Sequence, residues 1–239
     1  MAVKQVQSAA RVLATFEALA DNQPLGVGAL ARVLGDDKSA VQRALMTLSA
    51  AGWIRRAGGD GSQWEVTTRI LGLANRAQRR SGLRDRIRPA LEILRQSTDE
   101  TIILNVPESG QIVVLDVVES TQLVRTAPKV GFVVPALSSA AGQAILAHLD
   151  DAGVALYAGR PPDARLRKRL ADVRERGWSI NAGDESPGAR AVGVAIIGNE
   201  QRPVASITVS APADRLPDAT IEVLGPQLVA LAHRLSDVE

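Results

Sequence analysis

Apolar positions recur at helical spacing three times within the first fifty residues. Val12, Leu13, Phe16, Leu19 and Ala20 follow Ser8, which stands where a side chain could cap the first free amides of a helix. Asp21-Asn22-Gln23-Pro24 reads as a turn. Gly28 to Leu34 then gives a short second helix with Leu30, Val33 and Leu34 on one face, ended by Gly35. Asp36 or Asp37 is placed to cap a third helix running to about Ala51, with Val41, Ala44, Leu45 and Leu48 as its buried stripe and Gly52 at its C-cap. The period then changes from helical to alternating. Trp53 to Arg56 and Gln63 to Val66 read as strands joined by the turn Gly58-Gly59-Asp60-Gly61-Ser62. Three short helices and a hairpin make a winged helix-turn-helix.

Helical spacing returns from Thr68 to Arg80, where Ile70, Leu71, Leu73, Ala74 and Ala77 oppose Arg69, Arg76, Arg79 and Arg80. Ser81-Gly82 breaks that helix, and another runs from about Leu83 to Gln96 on Ile87, Leu91 and Leu94. Thr101 to Val106 and Gln111 to Val118 predict strands joined by the turn Pro107-Glu108-Ser109-Gly110, and Gln122 to Thr126 predicts a third. An Ala-rich helix from Ser139 to Leu149 and an amphipathic one from Asp163 to Arg176 follow. A second hairpin, Ala191 to Ile197 with Val204 to Ser210, and a closing helix from Asp218 to Leu235 complete the chain. The pattern predicts an α+β architecture with a central antiparallel sheet. The expected division is 1–67 for the winged helix-turn-helix, 68–82 for a linker helix and 83–239 for the larger domain, and 239 residues suffice for two cores.

Charge sharpens this division. Residues 1–80 carry 11 Lys and Arg against 6 Asp and Glu, or +5, whereas residues 81–239 carry 17 against 20, or −3. A basic small half suits a polyanion-binding module, although chance scatter gives the same totals. Opposite the buried stripe, the third helix presents Lys38, Ser39, Gln42, Arg43, Met46 and Thr47. These donors suit base edges and phosphates in a major groove; an ordinary solvated face has the same composition, and it is the hairpin that follows which favours DNA. Arg55 and Arg56 on that hairpin are expected near phosphates, with Gln42 discriminating bases.

Catalytic chemistry finds little material. Cysteine is absent, which excludes disulfides and thiolate sites, and the two histidines, His148 and His233, read as packing or surface residues. There is no nucleophile elbow or phosphate loop. Gly26-Val27-Gly28-Ala29-Leu30-Ala31 has dinucleotide-fingerprint spacing but lacks a βαβ context. No metal or cofactor is expected. The amphipathic N-terminus and the absence of a long apolar run predict a soluble, cytoplasmic protein with no membrane partner.

The segments SAARVLATFEALA, DDKSAVQRALMTLSAAGWIRR and TRILGLA resemble the N-terminal domain of the IclR (isocitrate lyase regulator) family, most closely over Lys38 to Leu45. The resemblance continues through Arg125 to Gly131, Pro135 to Gln143, Arg176 to Ser179, Asp184 to Gly188 and Ser206 to Pro212. It implies a GAF-like effector-binding domain and a transcription regulator, commonly a repressor, that pairs as a homodimer or homotetramer on a double-stranded DNA operator. Ser138-Ser139 before the Ala-rich helix reads first as simple capping. The resemblance instead places the amides of Ala140 and Ala141 beside an effector pocket, with Leu123, Val134, Asn181, Ala189, Ala191, Thr208 and Ser210 as further lining. Asn181 and Ala191 stand where relatives that bind small keto acids have an acidic residue and a cysteine. The smaller side chains at Ala189 and Ala191 leave room for a bulkier aromatic or alicyclic carboxylic acid. Two other readings compete: a DNA-binding protein whose C-terminal domain only oligomerises, and an enzyme with an accessory DNA-binding head.

Overall fold

The computed structural model describes residues 6–59, 61–181 and 188–236, with residues 75 and 77–81 described in backbone only. The chain divides into two compact units, Met1–Ser81 and Gly82–Glu239. In the first, helices α1 (Gln7–Asn22), α2 (Val27–Leu34) and α3 (Lys38–Ala50) pack around Leu19, Leu30, Val41, Leu45 and Leu48. Strands β1 (Leu25–Gly26), β2 (Ile54–Arg56) and β3 (Gln63–Val66) form an antiparallel sheet in the order β1-β3-β2. The pairing of Leu25 with Trp64 that creates β1 is too short to leave a period in the sequence.

Ser8 does not cap α1. The helix begins one residue earlier, after Val6, with no side-chain cap, so Ser8 lies within its first turn. Asp37 does cap α3, accepting from the amides of Ser39 and Ala40. At the other end Ala51, not Gly52, is the C-cap. Gly52, at φ 76°, follows it, its amide donating to Ser49 while the Trp53 amide donates to Leu48, a Schellman arrangement that only a left-handed residue closes without strain. Helix α4 (Arg69–Ser81) ends this unit.

The second unit opens with α5 (Leu83–Thr98) and is built on a six-stranded antiparallel sheet among the described residues. Its strands are β4 (Thr101–Glu108), β5 (Gln111–Val118), β6 (Val133–Val134), β7 (Ser179–Asn181), β8 (Ala189–Ile197) and β9 (Pro203–Pro212), in the order β6-β5-β4-β9-β8-β7. Helix α5 and the closing α9 (Asp218–Leu235) cover one face; α6 (Ala140–Leu146) lies on the other, backed by α7 (Asp151–Ala158) and α8 (Ala164–Arg176). The β4–β5 turn is tighter than expected. Pro107 and Glu108 still pair with Ile112 and Gln111, leaving Ser109 and Gly110, both at positive φ, as a two-residue turn.

Gln122 to Thr126 is not a strand. The segment is tied by side chains instead of a ladder: Thr121 and Gln122 donate to the Asp99 carboxylate, Arg215 donates to the Val124 carbonyl, and Thr126 donates to the Ser210 carbonyl. The free edge of β5 is taken by β6.

Strand β5 also changes face. Asn105 pairs with Val114 but its neighbour Leu104 pairs with Asp116, so Leu115 is an inserted, unpaired residue. Ile112 consequently packs with α6, whereas Val118 joins the core beneath α5 and α9. The bulge turns Asp116, with its side chain 2% exposed, toward α5, where Arg88 donates to both carboxylate oxygens at 2.8 and 3.0 Å and Arg84 to one at 3.3 Å. Removing the carboxylate leaves Arg84 without its ion-pair partner and Arg88 with Glu92 alone. Asp116→Ala should therefore cost about 2–3 kcal/mol, less than the roughly 3–5 kcal/mol of a fully buried pair, because both arginines keep water and Arg88 keeps Glu92. Urea unfolding measures it, and a loss below about 0.5 kcal/mol, the scale of an ordinary surface change, would show the cluster to be incidental.

Candidate DNA-reading face and ligand cavity

Burial of Val41, Ala44, Leu45 and Leu48 fixes which side of α3 meets solvent. Lys38, Ser39, Arg43 and Thr47 are exposed and Gln42 is partly so, on one continuous face with Met46. The Asp37 cap organises its start: Ser39 donates its hydroxyl to Asp37 at 2.6 Å, and Arg43 donates to the Ser39 hydroxyl at 3.2 Å. These hydrogen bonds, from the Ser39 hydroxyl first and from the Ser39 and Ala40 amides, hold the Asp37 carboxyl below its ordinary 3.8. Thr47 turns inward along the helix and donates to the Arg43 carbonyl.

The hairpin arginines are both present but neither is loose. Arg55 is 72% exposed and pairs with Glu65 at 2.8 Å. Arg56 lies over the Trp64 ring at 3.8 Å and donates to the Gly61 carbonyl at 2.7 Å. Trp64 as a platform for Arg56 was not legible in the sequence, although an Arg and a Trp on adjoining strands of a hairpin is the signal that would have suggested it.

In the second unit, the central strands carry different chemistry on their two faces. Ala205, Ile207, Val209 and Ala211 of β9 face the core under α5 and α9. The alternate positions Ser206, Thr208 and Ser210 face α6, and their cross-strand partners on β4 are Asn105, Ile103 and Thr101. Above this polar floor lies a cavity of about 480 Å³. Val134, Ala140, Ala141, Asn181, Ala189, Ala191, Thr208 and Ser210 all line it. Leu123 does not: it is 94% exposed, projected outward by the anchored segment around it. Of the segment Asp184 to Gly188, residues 184–187 lie outside the described residues.

The start of α6 reaches the cavity because two glycines let it. A Cβ on Gly142 would stand 2.1 Å from the Ala136 carbonyl oxygen, and one on Gly193 of β8 would stand 3.0 Å from the Ala140 backbone. Ser139 caps the helix by accepting from the Gly142 amide at 3.0 Å. Ser179 donates to the Ala140 carbonyl at 2.6 Å and pins the same turn from below. Thr126, Ala127, Pro128 and Phe132 border the opening. Asn105, which sequence reading missed, also lines the cavity; a single amide inside the apolar run of β4 was its available signal. Among the described lining residues the one formal charge is Arg190, which donates to the Leu216 carbonyl and the Asp218 carboxylate, both at 2.7 Å.

His148 lies outside this lining, and burial first, then nearby Arg174, pushes its imidazole below the ordinary 6.5. Among the described residues no acidic, histidine or cysteine group of three is placed to hold a metal, and no helix is long and apolar enough to cross a membrane.

The IclR helix-turn-helix domain model matches residues 8–58, and the model of the bacterial transcriptional regulator IclR C-terminal domain matches residues 76–237. The acetate operon repressor of Salmonella typhimurium is 27% identical, the match covering 97% of this chain and 89% of that protein. The transcriptional repressor IclR of Escherichia coli is 26% identical, with 98% and 90% covered. The crystal structure of an IclR homologue from Microbacterium hydrocarbonoxydans, in complex with 4-hydroxybenzoate, superposes with a TM-score of 0.76 at 21% identity, covering 94% of this chain and 96% of that one.

The reading face depends on the Asp37 cap. Its depressed pKa means the cap's contribution is complete above the ordinary aspartate range and is lost as pH falls through the lower folded value. Asp37→Ala should lower the melting temperature of the first unit at neutral pH, and the gap between parent and variant should close as pH falls below the ordinary aspartate value and through the lower folded one. A gap that stays constant down to pH 2 would mean that the carboxylate does not carry the cap.

Proposed function

The chain belongs to the bacterial IclR family of transcriptional regulators, and we propose that it represses transcription by binding a palindromic operator, under control of an organic carboxylic acid held in the cavity over the polar face of the sheet. It is a regulator and not an enzyme. The observation that carries the DNA reading is the outer face of α3, where Lys38, Ser39, Gln42 and Arg43 stand together on a helix followed by a basic hairpin. Gln42 reads a base edge in the major groove, while Lys38, Arg43, Arg55 and Arg56 neutralise phosphates and Ser39 and Thr47 add hydroxyls near the backbone. One such helix spans too few base pairs for useful specificity, so the operator is met by a homodimer or a pair of dimers. This work is done in the cytoplasm, where the operator is.

The effector reading rests on the cavity. Its size suits a ring, no carboxylate among its described lining residues repels an anion, and the Ala140 and Ala141 amides and the Thr208 hydroxyl supply donors. The homologue bound to 4-hydroxybenzoate supports a ligand of this class. The polar floor argues against a domain that only oligomerises, because hydroxyls and an amide buried for packing alone would cost stability that aliphatic residues would not.

On the DNA side, Arg55→Ala should weaken binding to all sequences alike and reduce the slope of log affinity against log salt by about 1 per subunit contact. Gln42→Ala should leave the slope unchanged and flatten sequence preference. Fluorescence titration on operator and scrambled duplexes across a salt series separates the two, and a changed sequence preference in Arg55→Ala would reverse the assignment. On the effector side, Ala191→Leu fills the cavity and should abolish an effector response that in the parent changes DNA affinity by about 5- to 150-fold. A folded Ala191→Leu protein with its response intact would place the effector elsewhere.

A further inference from the structure

Helix α8 and the loop before it concentrate positive charge in a unit that is otherwise acidic. Residues 160–176 hold seven Lys and Arg against three Asp and Glu, whereas residues 81–239 as a whole carry 17 against 20. Four of these cations are spent within the protein. Arg167 donates twice to the Asp151 carboxylate, Lys168 pairs with Asp172, Arg174 donates to the Ala147 carbonyl and Arg176 to the Trp178 carbonyl. The other three, Arg160, Arg165 and Arg169, line one cavity of about 280 Å³ together with Leu137, Asp163 and Leu166. It shares no lining residue with the cavity over the polar face of the sheet.

These three arginines are exposed and keep donors to spare. Arg160 uses one nitrogen on Asp163 at 3.2 Å and Arg169 one on the Leu137 carbonyl at 2.9 Å, while Arg165 makes no hydrogen bond or ion pair among the described residues. The carboxylate in the cavity is already engaged. Asp163 caps α8 by accepting from the Leu166 amide at 2.8 Å and takes Arg160 on its other oxygen. Arg165 and Arg169 stand one turn apart on α8, an i,i+4 pair of like charge that on its own weakens a helix. Three guanidiniums against one carboxylate leave two positive charges uncompensated around the hollow.

The anion that answers this arrangement is specific in charge and in shape. A carboxylic acid brings one charge and two oxygens, which match a single guanidinium fork. A nucleic-acid phosphate is a diester with one charge. A phosphate monoester brings nearly two charges and three terminal oxygens, enough to accept from all three arginines. Leu137 and Leu166 supply apolar wall for a small organic group on the ester oxygen.

We propose that Arg160, Arg165 and Arg169 form a second ligand site, which takes the phosphate group of a small phosphomonoester. Arg165 is the anchor with its whole fork available, Arg169 meets the same phosphate from the next turn, and Asp163 orients Arg160 toward it. The Leu137 carbonyl that Arg169 holds lies two residues before the Ser139 cap of α6, so the occupant adjoins the turn that borders the larger cavity.

The test is isothermal titration of the full-length protein with inorganic phosphate, glycerol 3-phosphate and phenyl phosphate, at constant ionic strength set with chloride so that general screening does not change. At least one monoester should bind saturably, one per chain, and more tightly than inorganic phosphate. Arg165→Ala and Arg169→Ala should each weaken it about tenfold or more. Arg165→Lys should not restore the affinity, because an ammonium lacks the fork. Lys168→Ala removes a charge from the same helix outside the cavity and should change the affinity less than about threefold. Without ligand, Arg165→Ala should melt no lower than the parent, since it breaks no contact and removes a like-charge neighbour. Absence of saturable binding by all three probes overturns the proposal. So does binding that survives Arg165→Ala, or an equal loss in Lys168→Ala, which would show diffuse charge and no site. A salt series on duplex DNA supplies the last arm: a slope of log affinity against log salt that falls by about 1 in Arg165→Ala would assign the cluster to DNA phosphates and overturn the small-ligand site.

Discussion

The second unit is governed by a constraint on β4 and β9, which lie in the middle of the sheet and are covered on both sides. A strand in that position normally carries apolar residues at every place. Here one face does, with Ile102, Leu104, Ile207 and Val209, while the other carries Thr101, Asn105, Ser206, Thr208 and Ser210. Each of those polar groups must be satisfied by protein or by something bound, since the sheet offers no bulk water to do so. Thr101 and Ser179 are satisfied by backbone carbonyls, of Thr126 and of Ala140 and Gly193 respectively. Through them the polar face draws the 120–126 segment and the start of α6 to opposite sides of the same opening.

The two approaches to the cavity are built differently. The α6 side is fixed by backbone proximity: Gly142 and Gly193 leave no space for a Cβ, so the turn has one position. The other side is fixed by side-chain hydrogen bonds: Ser120 donates to the Asp99 carbonyl, Thr121 to the Asp99 carboxylate, Arg215 to the Val124 carbonyl and Thr126 to the Ser210 carbonyl. That side also leads into β6, whose pairing with β5 spans only Ile112–Val134 and Val113–Val133. The cavity therefore has one wall held by backbone contact and one held by side-chain hydrogen bonds. The second is continuous with β5, the strand whose bulge holds Asp116 against Arg84 and Arg88 at the beginning of α5.

Long, strongly periodic segments were legible in the sequence. The helices from Lys38, Asp163 and Asp218 and the β4–β5 and β8–β9 hairpins begin and end close to where capping and turn chemistry put them. What failed has identifiable causes. Gln122 to Thr126 has strand-like residues, but its backbone is claimed by side chains from Arg215 and Thr101, a long-range event with no local signature. Ser8 could not show that α1 starts without a cap. The bulge at Leu115 was hidden because Ile112, Val114, Asp116 and Val118 are all buried, so the alternation looks unbroken although the last two face the opposite side. Most of the cavity followed from positions shared with a family, whereas Asn105 required the register of β4 against β9 to be seen.

In the first unit the same logic of satisfied partners decides how its charge can be used. A guanidinium bound to a carboxylate on its own hairpin must leave that carboxylate before it can meet a phosphate, and the carboxylate then stands near the phosphate and repels it. Arg55 is in that position through Glu65. Arg56 is held by a ring and a carbonyl, neither of which opposes an anion, and it is oriented in advance without losing its charge. Lys38 and Arg43 on α3 have no acidic ion-pair partner among the described residues, apart from the Asp37 cap that Arg43 reaches through the Ser39 hydroxyl. Of the four cations assigned to phosphates, Lys38, Arg43 and Arg56 therefore face no carboxylate in an ion pair among the described residues, whereas Arg55 reaches a phosphate by exchanging it for Glu65.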